Sequence, residues 1–270
     1  MGPIGVLHPG AMGAAVGREL VAAGHTVHWV TAGRGANTHR RAEAAGLLPV
    51  ATLDELASIC PVILSVCPPA TASSVASAVA ATGFDGRYVD ANAIAPSRVR
   101  EIARALPTVD GGIVGPPPGG PGRTVVYLSG ADAAAIAALF DRTAVEARVL
   151  SGDVGSASAL KLAFSAYNKI TFALAAQSYA LADAHGVRDE LEALAGAKLP
   201  DTPLAEPASL GGVGERAWRW APEMREIAAA ATEVGLAPGV AEGAAALFAR
   251  WDAFKDVPDV PLERLLDELR

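Results

Sequence analysis

Between positions 156 and 185 the chain runs for 30 residues without a glycine or a proline. Alanine and leucine dominate the run, so its helix propensity is high, and Gly186 stands where a helix-ending residue belongs. Gly152 and Gly155 open it. Leu160, Leu162, Phe164, Tyr167, Ile170, Phe172, Leu174, Tyr179 and Leu181 do not keep to one side, a pattern that predicts a helix buried all round. Against them Ser158, Lys161, Ser165 and Asn168 fall at steps of three or four and form one narrow polar stripe. A lysine on such a stripe, near the start of a buried helix, is a candidate reactive group. Its ordinary alternative is a lysine that reaches water or pairs with a carboxylate.

Bulk properties narrow the class of partner. A length of 270 residues suggests one or two domains, and 51% hydrophobic with 19% charged residues suits a large core rather than a disordered chain. The formal charge of −7, with no basic block, argues against nucleic acid or an anionic membrane as partner. Cys60 and Cys67 lack metal-ligand spacing and fit a reducing compartment, so a cytoplasmic protein without a metal is expected. The first residues have neither a charged leader nor a long apolar core, and no signal peptide is expected. Lys161, Asn168, Lys169, Gln177 and Asp183 argue against the long helix as a membrane span.

The first half alternates strands and helices. An apolar run at 4–7 breaks into His8-Pro9-Gly10-Ala11-Met12-Gly13, a helix follows over 14–23, and a second strand covers 27–30. Strand, tight glycine turn, helix and strand make the first unit of a dinucleotide-binding fold. Gly10 lets the backbone approach a pyrophosphate, Gly13 lets the helix pack on the sheet, and the N–H groups of the helix start face the phosphates. His8 occupies the place of the first glycine of G-x-G-x-x-G. After the second strand come Thr31-Ala32-Gly33-Arg34, with no acid before Glu43. An acid there would bind ribose hydroxyls, whereas Arg34 suits a 2′-phosphate, so NADP is expected over NAD. Further strands are predicted at 62–66, 87–90, 109–114, 125–128 and 145–150, with helices at 71–81, 96–106 and 131–140. The result is a doubly wound, mainly parallel α/β sheet. Ligands of such sheets sit at the carboxyl ends of the strands. Cys67-Pro68-Pro69, Asn92 and the segment from Gly115 onward lie there; Asn92 is read as close to the nicotinamide or as a turn former. The Pro-rich 115–122 is a rim or a linker.

Four motifs, in order, resemble the β-hydroxyacid dehydrogenases, a superfamily that includes 6-phosphogluconate and 3-hydroxyisobutyrate dehydrogenases. G-x-I-G-x-G-x-M-G is similar to Gly5 through Met12-Gly13, and D-x-S-T-x-x-P to Asp90-Ala91-Asn92-Ala93-Ile94-Ala95-Pro96. D-A-P-V-S-G-G is similar to Asp110-Gly111-Gly112-Ile113-Val114-Gly115, and G-x-x-G-x-x-x-x-x-K to the run from Gly152 through Gly155 to Lys161. A subgroup with a short helical C-terminal domain of unassigned function is closer still. The resemblance implies an NADP-binding Rossmann-like domain and Lys161 as general acid/base. It implies a cofactor site of His8, Pro9, Gly10, Ala11, Met12, Thr31, Gly33, Arg34, Cys67, Pro68, Pro69 and Asn92. It also implies a substrate site that includes Val114, Gly115 and Ser165, and Asn168 on the polar stripe is a further substrate candidate. Val114 stands where the family has its substrate-binding serine, and Ser165 where it has asparagine, so the substrate is not carried over with the fold.

Beyond Gly186 helices alone are predicted, over 188–197, around Trp218, Trp220 and Met224, over 240–254 and over 262–269. Trp218 and Glu223 are candidate substrate contacts. The tryptophans are otherwise core or interface residues, and Arg219 with Glu223 an exposed pair. The domains expected are 1–152 for NADP, 153–185 as a linking helix and 186–270 as an all-α substrate and dimerisation domain. A homodimer through the C-terminal helices is expected. The activity expected is hydride transfer between NADP and a small carbonyl or hydroxy compound, the alternatives being a C=N reductase and a non-catalytic NADPH-binding sensor.

Overall fold

The computed structural model describes residues 2–270. Its chain divides into two compact units, one ending at Lys161 and the other spanning Leu162–Arg270.

The first unit holds eight strands: β1 (Ile4–Leu7), β2 (Val27–Val30), β3 (Leu48–Val50), β4 (Val62–Ser65), β5 (Arg87–Asp90), β6 (Thr108–Val114), β7 (Thr124–Ser129) and β8 (Val145–Val149). They form one sheet in the order β3-β2-β1-β4-β5-β6-β7-β8. All pairs are parallel except β6 with β7, where Asp110 faces Ser129. The first six strands thus follow the doubly wound order, whose direction reverses between β1 and β4; that is where such sheets open a ligand crevice. β1 and β4 are buried at every position, as strands covered on both faces must be. Alternate residues feed two cores: Ile4, Val6, Val62 and Leu64 join one, and Leu7 and Ile63 the other.

Six helices cover the sheet: α1 (Ala11–Ala22), α2 (Ala36–Ala44), α3 (Leu53–Ile59), α4 (Ala72–Ala81), α5 (Pro96–Ile102) and α6 (Ala133–Ala137). β3 and α3 were not read from the sequence, nor was the span of α2. β3 is a three-residue edge strand carrying Pro49, tolerated because an edge needs only one set of ladder bonds. α3 begins with a reciprocal cap: Thr52 accepts from Glu55 N, and Glu55 accepts from Ala51 N. α5 stops at Ile102, four residues before the predicted end.

α7 (Ser156–Ala184) is one continuous helix, and the division between the units falls inside it. The expectation that it is buried on all sides is corrected. Leu160, Phe164, Tyr167, Leu174 and Leu181 are exposed, Tyr167 at 81%. Their spacing of four, three, seven and seven places them on one face, while Ala173, Ala176 and Tyr179 take the buried side.

In the second unit α7 is followed by α8 (Arg188–Lys198), α9 (Gly211–Gly214), α10 (Ala217–Glu233), α11 (Gly239–Ala249) and α12 (Leu262–Asp267). No strand occurs there among the described residues. Its core is a file of rings: Phe172 against Trp220, Trp220 against Phe248, and Phe248 against Trp251. The Trp251 indole donates to Leu265 O. No helix among the described residues is long and apolar enough to cross a membrane.

Candidate functional site

The turn after β1 brings the first group of residues together. His8 adopts a left-handed backbone, φ 62°, the conformation that makes glycine the usual residue at this place. Gly10 N donates to His8 O at 2.6 Å. A Cβ on Gly13 would lie 2.7 Å from His8 O, so only glycine lets α1 start this close to the turn. α1 begins without a side-chain cap and without an acid in its first turn, which leaves its positive end for another anion. His8 Nδ1 is buried without a hydrogen-bond partner. Burial first, and the Arg34 charge second, push the imidazole down to about 4.

Arg34 reaches the same place from the end of β2. Thr31 O accepts from Arg34 N, and Gly33 takes φ 71° between them. Arg34 Nε is buried without a partner, and burial lowers the guanidinium's affinity for its proton. The Thr31 hydroxyl is spent on Val50 O.

Asn92, buried, braces the neighbouring loops. Its Oδ1 accepts from Cys67 N at 2.6 Å, and its Nδ2 donates to Ser65 Oγ and Asp90 Oδ2. Both amide protons are used, so Asn92 shapes the 67–69 loop rather than presenting a free amide. Asp90 also accepts from Asn92 N. Burial pushes the Asp90 carboxyl up to about 6 against these bonds, which pull it down. The Cys67 thiol is pushed up by burial. Pro69 is buried and Pro68 exposed, and Arg98 donates to Pro69 O. The Pro-rich segment is tied down at two points: Thr124 Oγ1 donates to Pro116 O and Arg18 Nη2 to Pro118 O, both at 2.6 Å. Val114 is half-buried, and Gly115 turns the chain with φ 112°.

The start of α7 forms the third group. Asp110, fully buried, accepts from Gly155 N at 2.9 Å, Ser158 N at 3.0 Å, Ser129 Oγ at 3.0 Å and Ser158 Oγ at 2.6 Å. Ser129 Oγ accepts in turn from Ala157 N at 3.1 Å. Lys161, half-buried, lies in the next turn, and a Cβ on Gly112 would meet Lys161 Cβ at 2.9 Å. The sequence pattern at 110–115 marked a substrate segment. Its aspartate has no exposed surface, and every one of these bonds goes to the chain itself.

In the second unit Ser165 is buried and Asn168 exposed. Asn168 lines a cleft of 410 Å³ with Tyr167, Thr171, Phe172, Asp201 and Glu206. The reading of Glu223 with Arg219 as an exposed pair is corrected: Glu223 is buried and bonded to Lys169, whose ammonium also lies 5.2 Å from the centre of the Trp220 ring. Trp220 and Met224 are core residues, and Trp218 stacks under the Lys255 ammonium at 4.4 Å. Lys169 was read from the sequence only as a charge that argues against a membrane span, because nothing in the local pattern tells a paired lysine from a solvated one. No group of three or more His, Cys, Asp and Glu that could hold a metal occurs among the described residues.

A doubly wound sheet with an uncapped glycine turn at its reversal point, followed by helices alone, is the architecture of a nucleotide-binding α/β protein. Comparison with solved structures narrows this to the 3-hydroxyacid dehydrogenase-like fold. A conserved protein of unknown function, described as structurally similar to 3-hydroxyacid dehydrogenases, is 25% identical, covers 93% of this chain and 98% of its own, and superposes with a TM-score of 0.69. The 3-hydroxyisobutyrate dehydrogenase of Mycobacterium tuberculosis, solved with L-serine, is 17% identical over 100% of this chain and 99% of its own, TM-score 0.74. A reductive aminase from Aspergillus terreus, in complex with NADPH and ethyl levulinate, is 21% identical over the whole of both chains, TM-score 0.58. Residues 182–251 match a domain of unknown function, DUF1932. No curated protein matches the chain.

Proposed function

We propose that the chain is an NADP-dependent oxidoreductase that moves a hydride between the nicotinamide and a small carbonyl or hydroxy compound. The observation that carries this reading is the grouping at the β1 turn. An uncapped helix N-terminus, the buried unpartnered Arg34 Nε and the buried unpartnered His8 Nδ1 suit a ligand bearing several phosphates. Arg34 in place of an acid favours NADP over NAD. NADPH, when bound, supplies the hydride. The chain's own residues do the rest. The 10–13 turn holds the pyrophosphate, Arg34 takes the 2′-phosphate, and the 67–69 loop, braced by Asn92, flanks the nicotinamide. Lys161 gives a proton to the developing alkoxide oxygen during reduction and takes one during oxidation. Val114 and Gly115, in the same unit as Lys161, contact the substrate.

The likeness to a reductive aminase along the whole chain supports a second reading, reduction of a C=N bond. A retained Lys161 favours the carbonyl. Turnover of cyclohexanone alone, against cyclohexanone with a primary amine, separates the two. We further propose a homodimer, supported by the exposed apolar face of α7, and a cytoplasmic location, supported by two free thiols.

The first test is thermal unfolding with saturating NADPH and, separately, NADH. A ligand at 100 times its Kd adds about 2.7 kcal/mol, which a melting curve resolves. The larger shift is expected with NADPH; no shift with either removes the oxidoreductase reading. Lys161→Met is expected to keep the NADPH shift and to lose about 100-fold or more in kcat. Full turnover by that variant removes the acid/base role, and binding without turnover of any carbonyl or imine leaves the sensor.

A further inference from the structure

An α-helix cannot satisfy its own first N–H groups, and the residue that would ordinarily cap α7 from within is Gly155, which has no side chain. The cap comes from the sheet instead. Asp110 Oδ2 takes the N–H groups of Gly155 and Ser158, and Ser129 Oγ takes that of Ala157 while donating to the same Oδ2. Ser158 Oγ closes the set on Oδ1. The antiparallel pairing of β6 with β7 makes this possible, because it places Ser129 directly opposite Asp110. Two residues along the same strand, and so on the same face, Gly112 leaves the room in which the first turns of α7 lie. A Cβ there would meet Ala157 O at 2.8 Å and Lys161 Cβ at 2.9 Å. Lys161 follows Ser158 by three residues, one turn onward on the same side. The rotation and height of this turn are therefore set by β6.

We propose that Asp110 is a positioning residue for Lys161: its carboxylate clamps the first turn of α7 against Gly112 and so aims the lysine. The proposal rests on the acid/base role given to Lys161 above. Asp110→Asn keeps the shape but removes the negative charge and one of the two acceptor oxygens that face the start of α7. Misplacing a reacting group by about 1 Å costs on the order of 100-fold in rate. The expected result is therefore a fall in kcat of about that size, with the Kd for NADPH and the KM for ethyl levulinate little changed. A merely structural role predicts that the losses of Asp110→Asn and Lys161→Met multiply. Positioning predicts that the double variant is no worse than Lys161→Met alone.

Ser158→Ala and Gly112→Ala test the same clamp from its other two sides if Asp110→Asn does not fold. A readout without turnover runs in parallel: the rate at which trinitrobenzenesulfonate labels Lys161, mapped by peptide, with exposed Lys198 as the internal reference. The ratio of the two rates is expected to change in every folded clamp variant. If that ratio and kcat both match the wild type, the proposal is overturned. If the wild type turns over no probe and the ratio still changes, the clamp stands and the oxidoreductase reading is the one that fails.

Discussion

His8 and Asp90 show how single residues at the crevice tie stability to pH. The His8 imidazole is held near 4, below its ordinary 6.5. As pH falls below 6.5 the unfolded chain takes up a proton that the folded one refuses, so His8 costs stability on acidification down to about 4. Asp90 acts in the opposite sense. Its carboxyl sits near 6, above the ordinary 3.8, so the folded state keeps a proton that the unfolded one has lost, and stability falls as pH rises through that interval. The two windows overlap and their effects offset. Removing one partner exposes the other. Asp90→Asn is expected to remove the fall in stability as pH rises from about 4 to about 6, and so to weaken more steeply than the wild type on acidification over that interval. His8→Gly, which also accepts the left-handed backbone without strain, is expected to grow more stable over the same interval on acidification. Urea denaturation at pH 4.5, 6 and 7.5 checks both; parallel curves for wild type and variants would refute both. The residue-level motifs were legible in the sequence as a list of positions. Asp110 was read as part of a substrate segment because a pattern of letters does not show that its oxygens point inward to an N-terminus 45 and 48 residues away.

At the scale of elements, strands β1 and β2 have the limits read from the sequence, and α7 ends one residue earlier than read. Continuous apolar runs and long propensity runs are local signals. The elements that were missed are short. β3 is held by pairing with β2, a contact made by tertiary structure, and α3 has a cap in plain view, Thr-x-x-Glu, at 52–55. That cap yields a direct expectation. Thr52→Ala removes the acceptor for Glu55 N and should lower stability by about 1 kcal/mol, measured by chemical denaturation, with cofactor affinity unchanged. A larger loss would mean that Thr52 supports more than the helix end.

At the scale of the whole molecule, the exposed face of α7 carries the prediction. Phe164, Tyr167, Leu174 and Leu181 expose a run of large apolar surface in the single chain, more than scattered surface residues account for. Leu174→Glu and Tyr167→Glu, both at exposed positions, should leave the fold intact and shift sedimentation from dimer to monomer. A wild type that sediments as a monomer at tens of micromolar would refute the homodimer. The sequence by itself determined the order of the strands and helices apart from the short elements between β2 and β4, the glycine turn, the absence of an acid after β2 and the long helix with its lysine, because each is a pattern within a few neighbouring residues. Only the tertiary structure decided which groups are buried and with whom: Asp110 beneath α7, Glu223 on Lys169, Asn92 bracing Cys67, and α7 exposed along one side. Burial and hydrogen-bond pairing depend on residues far apart in the chain, and the side of a helix that faces a core is set by what packs on it, not by its own composition.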